Sequence, residues 1–310
     1  MSTQPQLIGH AEALAQFTAA KAQNHLHHGW IVRGPSGIGK SVFVTALAAL
    51  MLTPDGADAT MIEDIRQKIA SGSHPDFQWV TRELNDKGQL KQDISVEQIR
   101  HLNHFFALKP ALGGWRVGVI DALDEMNTAG LNAMLKTLEE PPNKAILFLI
   151  SHGTQPLLAT IRSRCQILRL GPLSDEETAD VLQRHDLDAS AVAALAPGRP
   201  GLALSLAEAG VSPVILATRA LLDQPVKAFP DKLAGALSSA AASIAALNVF
   251  CLLLMDHCAR RAIENPAYAS IWLQLQSEKS DAMEINLTPL QTAAKLWALL
   301  YAFERKRVAA

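Results

Sequence analysis

Trp30-Ile-Val-Arg-Gly-Pro-Ser-Gly-Ile-Gly-Lys-Ser41 is the stretch on which the fold of this 310-residue chain turns. Trp30, Ile31 and Val32 form a short apolar run that predicts a buried strand. Gly34, Gly37 and Gly39 punctuate the loop behind it, and Val42-Phe-Val-Thr-Ala-Leu-Ala-Ala-Leu-Met-Leu52 has the apolar content of a helix. Strand, glycine loop and helix are the context of a phosphate-binding loop, and Gly34-x-x-x-x-Gly39-Lys40-Ser41 matches that pattern in full. The glycines let successive N–H groups turn inward as a nest, and the helix start adds partial positive charge. On this reading Gly34, Gly37, Ile38, Gly39, Lys40 and Ser41 hold a nucleotide. Lys40 reaches the terminal phosphates and the Ser41 hydroxyl joins the shell of a magnesium ion.

Composition narrows the setting. With 310 residues, two or three domains are expected. A formal net charge of −2 provides no global attraction to nucleic acid, so any contact with DNA is local. Arg162, Arg164 and Arg169, and separately Arg305-Lys-Arg307, are the two short basic groups that qualify, and each reads better as solvated surface. Cys165, Cys251 and Cys258 form no metal-spaced set, and an odd count argues against a secreted disulfide scaffold. The N-terminus has no basic and apolar leader, so a reduced, cytoplasmic setting is expected. Leu233 to Met255 runs 23 residues without a charge, long enough to span a bilayer. Its serines, Asn248 and many alanines favour a buried helix or pair of helices, and no membrane partner is expected.

Further strands are expected at His74–Val80, Trp115–Ile120, Ala145–Ile150 and Gln166–Leu170, with helices between them. Ser95-Val-Glu-Gln98 and Ser174-x-x-Glu177 have capping-box spacing. His25, His27 and His28 lie close in sequence but lack carboxylate or thiol company, and read as polar residues at a strand entrance. Alternating strands and helices imply a parallel sheet covered on both faces, with ligands at the strands' C-terminal ends. Gly34 and Asp121 both sit at such ends. From Leu173 onward the signals are helical, interrupted at Pro197-Gly-Arg-Pro-Gly201, Pro225, Pro230, Pro266 and Pro289.

An apolar strand closed by Asp121 resembles a Walker B strand, whose carboxylate holds magnesium with Ser41. Asn132-Ala-Met-Leu-Lys-Thr-Leu-Glu-Glu-Pro-Pro142 and Ile161-Arg-Ser-Arg-Cys165 together resemble the bacterial DNA polymerase III clamp-loader family, of the AAA+ class. Leu7-Ile-Gly-His10 and Ser73-His-Pro-Asp76 fit it too, and the match runs from residue 7 to about 206. The chain is most similar to the family's delta-prime branch. The last hundred residues match only in length and helical character.

The resemblance implies a RecA-like α/β domain at 1–170, a helical lid at 171–211 and an all-α collar domain at 212–310. It implies a hetero-pentamer with delta and gamma/tau subunits that places a sliding clamp on primed DNA, with ATP or ADP and magnesium between subunits. Arg164 matches the family's arginine finger, a catalytic cation acting on the neighbour's nucleotide. Three departures separate this chain from the hydrolysing gamma/tau-like members. Ala122 replaces the glutamate that polarises water, and a methyl group accepts no hydrogen bond. Gly201 stands where the lid's sensor arginine is expected, with Arg199 two positions away. Residues 42–120 contain no cysteine, so no zinc is expected. Asp124 and Glu125, past the strand end, are expected to face solvent. An active clamp-loader ATPase is the nearest alternative, and a small-molecule P-loop kinase a remote one.

Overall fold

The computed structural model describes residues 7–23, 25–85, 88, 90–153, 156–185, 193, 195–223, 229–238, 243–284 and 287–308. The chain divides into two compact units, residues 1–181 with 197–201, and residues 182–196 with 202–310.

The first unit is α/β. Its strands are β1 (Gly29–Arg33), β2 (Phe77–Thr81), β3 (Arg116–Asp121), β4 (Ala145–Ser151) and β5 (Gln166–Arg169). They form one parallel sheet in the order β2-β3-β4-β1-β5. This is the RecA-like AAA+ arrangement that the clamp-loader resemblance implied. Side chains alternate between two buried layers. Trp30, Val32, Val119, Phe148 and Leu168 pack beneath α1 (Ala11–Ala22), α2 (Lys40–Leu52) and α3 (Ala59–Ala70). Ile31, Ile120, Leu147 and Leu149 face α4 (Val96–Ala107) and α5 (Thr128–Glu139). Both faces being covered explains why β4 is buried at every position, an all-apolar run rather than an alternating one.

The chain leaves β1 toward β2 at one edge and leaves β4 toward β5 at the other. Adjacent strands whose connections diverge open a crevice at their C-terminal ends, where ligands of such sheets bind. The phosphate loop follows β1 at that point.

Two elements depart from expectation. His74–Asp76 leads through a turn with His74 and Asp76 buried, and β2 begins only at Phe77. Pro75 donates no ladder hydrogen bond, and the Asp76 carboxylate instead accepts from the N–H groups of Ala111 (2.7 Å) and Leu112 (2.9 Å). Helix α3 has no counterpart among the expected elements. Its signal is a cap, Asp58 accepting from the Met61 N–H at 2.8 Å, followed by Ile62, Ile65 and Ile69 at helical spacing. The boxes at Ser95/Gln98 and Ser174/Glu177 both form, the latter opening α7 (Asp175–Gln183). His28 Nε2 donates to the Leu138 carbonyl at the end of α5 (2.9 Å), stacked on His27 at the entrance to β1.

The second unit is helical among its described residues. α8 (Pro200–Glu208), whose first two residues belong to the first unit, α9 (Ser212–Asp223), α10 (Asp231–Ser238), α11 (Ser243–Ala262), α12 (Ala267–Glu284) and α13 (Pro289–Val308) follow in order. Pro230 and Pro266 precede helices and Pro289 begins one, where a missing N–H costs nothing. Pro225 lies outside the described residues. The uncharged run from Leu233 falls on α10 and α11, whose Leu237, Phe250 and Leu254 are buried in this unit's own core. Among the described residues no single helix is long and apolar enough to cross a membrane.

Candidate functional site

The loop after β1 requires glycine for two separate reasons. A Cβ on Gly34 would lie 2.3 Å from the Leu170 carbonyl oxygen and 2.6 Å from the Ile38 side chain, so no larger residue fits. Gly39 has φ +92° at the helix entrance, the left-handed region that other residues rarely adopt. The loop is braced around the rest of its course. His10 Nε2 donates to the Ile38 carbonyl (2.8 Å), the Gly201 N–H to the Gly37 carbonyl (2.8 Å), and Arg199 Nε to the Ser36 carbonyl (2.7 Å).

Lys40 is 4% exposed, and its ammonium donates to its own loop carbonyls, Gly34 at 2.8 Å and Pro35 at 2.7 Å. Burial lowers its pKa to about 8, with Asp121 and Asp124 opposing and Arg199 assisting the shift. Ser41 Oγ donates to Asp121 Oδ2 at 3.0 Å. The structure thus brings together the phosphate loop, the lysine, the hydroxyl and the carboxylate, which are separated in sequence by 80 residues. A desolvated cation beside a nest of N–H groups is suited to phosphate, and a hydroxyl paired with a carboxylate oxygen is a donor set suited to magnesium. The residues present fit a magnesium nucleotide.

Ala122 is completely buried directly after Asp121. Asp124 and Glu125 do not face solvent freely, contrary to expectation. A short 3-10 turn, Leu123–Glu125, folds them back. Asp124 accepts from Ser151 Oγ (3.3 Å) and from the His152 N–H, tying the turn to the end of β4. Glu125 is paired with Arg82 at 2.8 Å. His152 is a site neighbour that sequence reasoning passed over. Burial and then Lys40 hold its pKa below the ordinary value, against the pull of Asp121, Asp124 and Glu125, and its Nδ1 is buried without a hydrogen bond. Its only sequence signal was its place just beyond a buried strand. Arg199 was singled out two positions from the expected sensor, and it nonetheless reaches the loop.

Arg164 is elsewhere. It precedes β5, so it lies at the N-terminal ends of the strands, against Gly29 rather than Gly34. Its Nη2 pairs with Glu139 at 2.8 Å and its Nη1 donates to the Thr160 carbonyl at 2.9 Å, with the side chain 35% exposed. The two family-like blocks therefore meet in space: Glu139, at the end of α5, orients the arginine of Ser163-Arg164-Cys165. At roughly 3.3 Å per residue, the four residues of β5 separate this guanidinium from its own phosphate loop.

Sheet order, phosphate loop and paired Asp121 together have the AAA+ arrangement. A family model for the DNA polymerase III delta subunit matches residues 9–174. The DNA polymerase III subunit delta' of Pseudomonas aeruginosa is 34% identical over 231 residues, covering 71% of this chain and 68% of that protein. The subunit delta' of Escherichia coli is 31% identical over 186 residues, covering 58% and 54%. The subunit gamma of Buchnera aphidicola is 27% identical over 179 residues, covering 57% and 47%. The matched stretch thus spans two thirds of one relative and about half of the other two. The chain belongs to the DNA polymerase III clamp-loader family and is delta-prime-like within it.

Proposed function

We propose that this chain is the rigid, non-hydrolysing subunit of a DNA polymerase III clamp loader, holding ATP or ADP with magnesium and lending Arg164 to its neighbour. Delta and gamma/tau subunits complete the hetero-pentamer, which opens a sliding clamp and closes it on primed DNA. Lys40 and the loop N–H groups would hold the phosphates of a nucleotide and neutralise their charge, and Ser41 and Asp121 would hold its magnesium ion. Ala122 offers nothing to orient a water, and the nearby carboxylates of Asp124 and Glu125 are engaged with Ser151, His152 and Arg82. The nucleotide is accordingly a fixed wedge, not a fuel.

One observation carries the reading: Arg164 stands at the end of the sheet opposite its own phosphate loop. A guanidinium there, held by Glu139 and the Thr160 carbonyl, is far from the chain's own phosphate loop, whereas stabilising charge on a γ-phosphate across a subunit boundary is worth orders of magnitude in rate. The test is reconstitution with the partner subunits, comparing wild type with Arg164→Ala. Assembly is expected to be normal and ATP-driven loading impaired by at least ~1000-fold if the finger acts as in comparable phosphoryl-transfer sites. Unimpaired loading removes the assignment. In the isolated chain, ATP binds with negligible phosphate release, and Lys40→Ala abolishes binding; rapid turnover would instead identify an active ATPase.

A further inference from the structure

Arg164 follows α6 (Ala159–Arg162), whose Thr160 carbonyl accepts from its Nη1, while Glu139 takes Nη2. Glu139 is the last residue of α5, in the turn where helix carbonyls run out of N–H partners. The carbonyl of the residue before it, Leu138, would be served within a helix by the N–H four positions on, and that position is Pro142, which has none. His28 supplies the missing donor from 110 positions away, its Nε2 lying 2.9 Å from the Leu138 oxygen. Burial first, and then His27, lowers the His28 pKa against the pull of that carbonyl. The ring is neutral at neutral pH, and donation to a carbonyl places its one proton on Nε2.

Gly29, the next residue, closes the same junction. A Cβ there would lie 3.0 Å from Cys165 Sγ, 3.0 Å from the Leu138 side chain and 3.2 Å from the Arg164 carbonyl oxygen. The end of α5 and the turn that carries Arg164 therefore press on one point at the start of β1. We propose that His28 is a positioning residue for Arg164: it fixes the last turn of α5 so that Glu139 presents the guanidinium in one orientation. This role rests on the action of Arg164 across a subunit boundary proposed above. The Arg164 side chain is 35% exposed and gains its direction from its anchor. A group that must meet a γ-phosphate loses rate steeply when misplaced, about a hundredfold for 1 Å.

The experiment uses the complex reconstituted with its partner subunits and two variants that differ in reach. The His28→Gln amide extends to the place of Nε2 and keeps the donor, whereas the His28→Asn amide stops at the place of Nδ1 and loses it. ATP hydrolysis stimulated by clamp and DNA yields kcat and KM. His28→Asn is expected to lower kcat on the order of tenfold, the worth of one hydrogen bond, with KM for ATP unchanged because the neighbour's own loop binds that nucleotide. His28→Gln is expected to keep the wild-type rate. In an Arg164→Ala background His28→Asn is expected to cost nothing further, since both changes act through one group. A further loss there, which a folding or assembly defect would also produce, overturns the positioning role. So does a wild-type rate for His28→Asn where Arg164→Ala is impaired, and the finger assignment then stands. If Arg164→Ala is itself unimpaired, the finger assignment falls and the role of His28 falls with it.

Discussion

Lys40 joins the two demands made on a phosphate loop, to be dry and to be charged. Burial lowers its pKa to about 8 from an ordinary 10.5. Between those values the unfolded chain binds more protons than the folded one, so the nucleotide-free protein gains stability as pH rises from about 8 to 10.5. Nucleotide affinity runs the other way, because the phosphates need the ammonium. Titration calorimetry across pH 8 is expected to show ATP affinity falling as pH rises, with proton uptake on binding above it. A flat profile would mean that the loop N–H groups, not the lysine, carry the interaction. Cys165 shows burial without this tension. Its thiol, partly buried and packed beside Gly29, is pushed up to about 12 and is unreactive at ordinary pH.

At the scale of elements, the family-like Ser73-His-Pro-Asp76 has a structural task. Asp76 is 1% exposed and ties the turn before β3 to the turn before β2. Arg116 lies 3.6 Å from it and donates to the carbonyls of Phe105 (2.6 Å) and Lys109 (2.7 Å). Asp76→Ala would leave buried Arg116 without its opposite charge and two N–H groups without their acceptor, and is expected to lower stability by about 3 kcal/mol in urea denaturation. A comparable cluster joins helices of the second unit. Buried Glu304 accepts from the Tyr268 hydroxyl at 2.7 Å, with His257, Arg261 and Arg307 at 3.4 to 3.5 Å. Burial alone would raise the Glu304 pKa, yet hydrogen bonds with Tyr268 and His257 and the charges of Arg261 and Arg307 hold it below its ordinary value. The stability it contributes is therefore present above pH 4.5 and lost as pH falls below it.

For the whole molecule, two cores imply two cooperative units. The apolar layers on either face of the sheet belong to the first unit and the helical cluster to the second. On the function proposed above, a nucleotide held by Gly34–Ser41 and Asp121 would stabilise only the first. Calorimetry is expected to resolve two transitions, one of which rises with ATP, by about 2.7 kcal/mol at a hundredfold excess over Kd. Lys40→Ala should abolish that rise and leave the other transition in place. A single transition shifted as a whole would show the units to be thermodynamically one.

The five strands, the phosphate loop and both capping boxes were legible because each is local chemistry: a period, a run of glycines, a hydroxyl three residues before its partner. The false strand start at His74 and the unread helix α3 mark where a local pattern competes with contacts from elsewhere. Alternation at 74–76 described a strand, and a carboxylate bonded to residues 111 and 112 made it a turn. The sequence by itself determined the class of fold and the chemistry of Lys40, Ser41 and Asp121. The tertiary structure alone decided that Asp121 meets Ser41, that Arg199 reaches Ser36, that Glu139 grips Arg164 and that His28 meets Leu138. Those neighbours follow from strand order and register, which are set by the packing of two distant faces and leave no mark in any short window of residues.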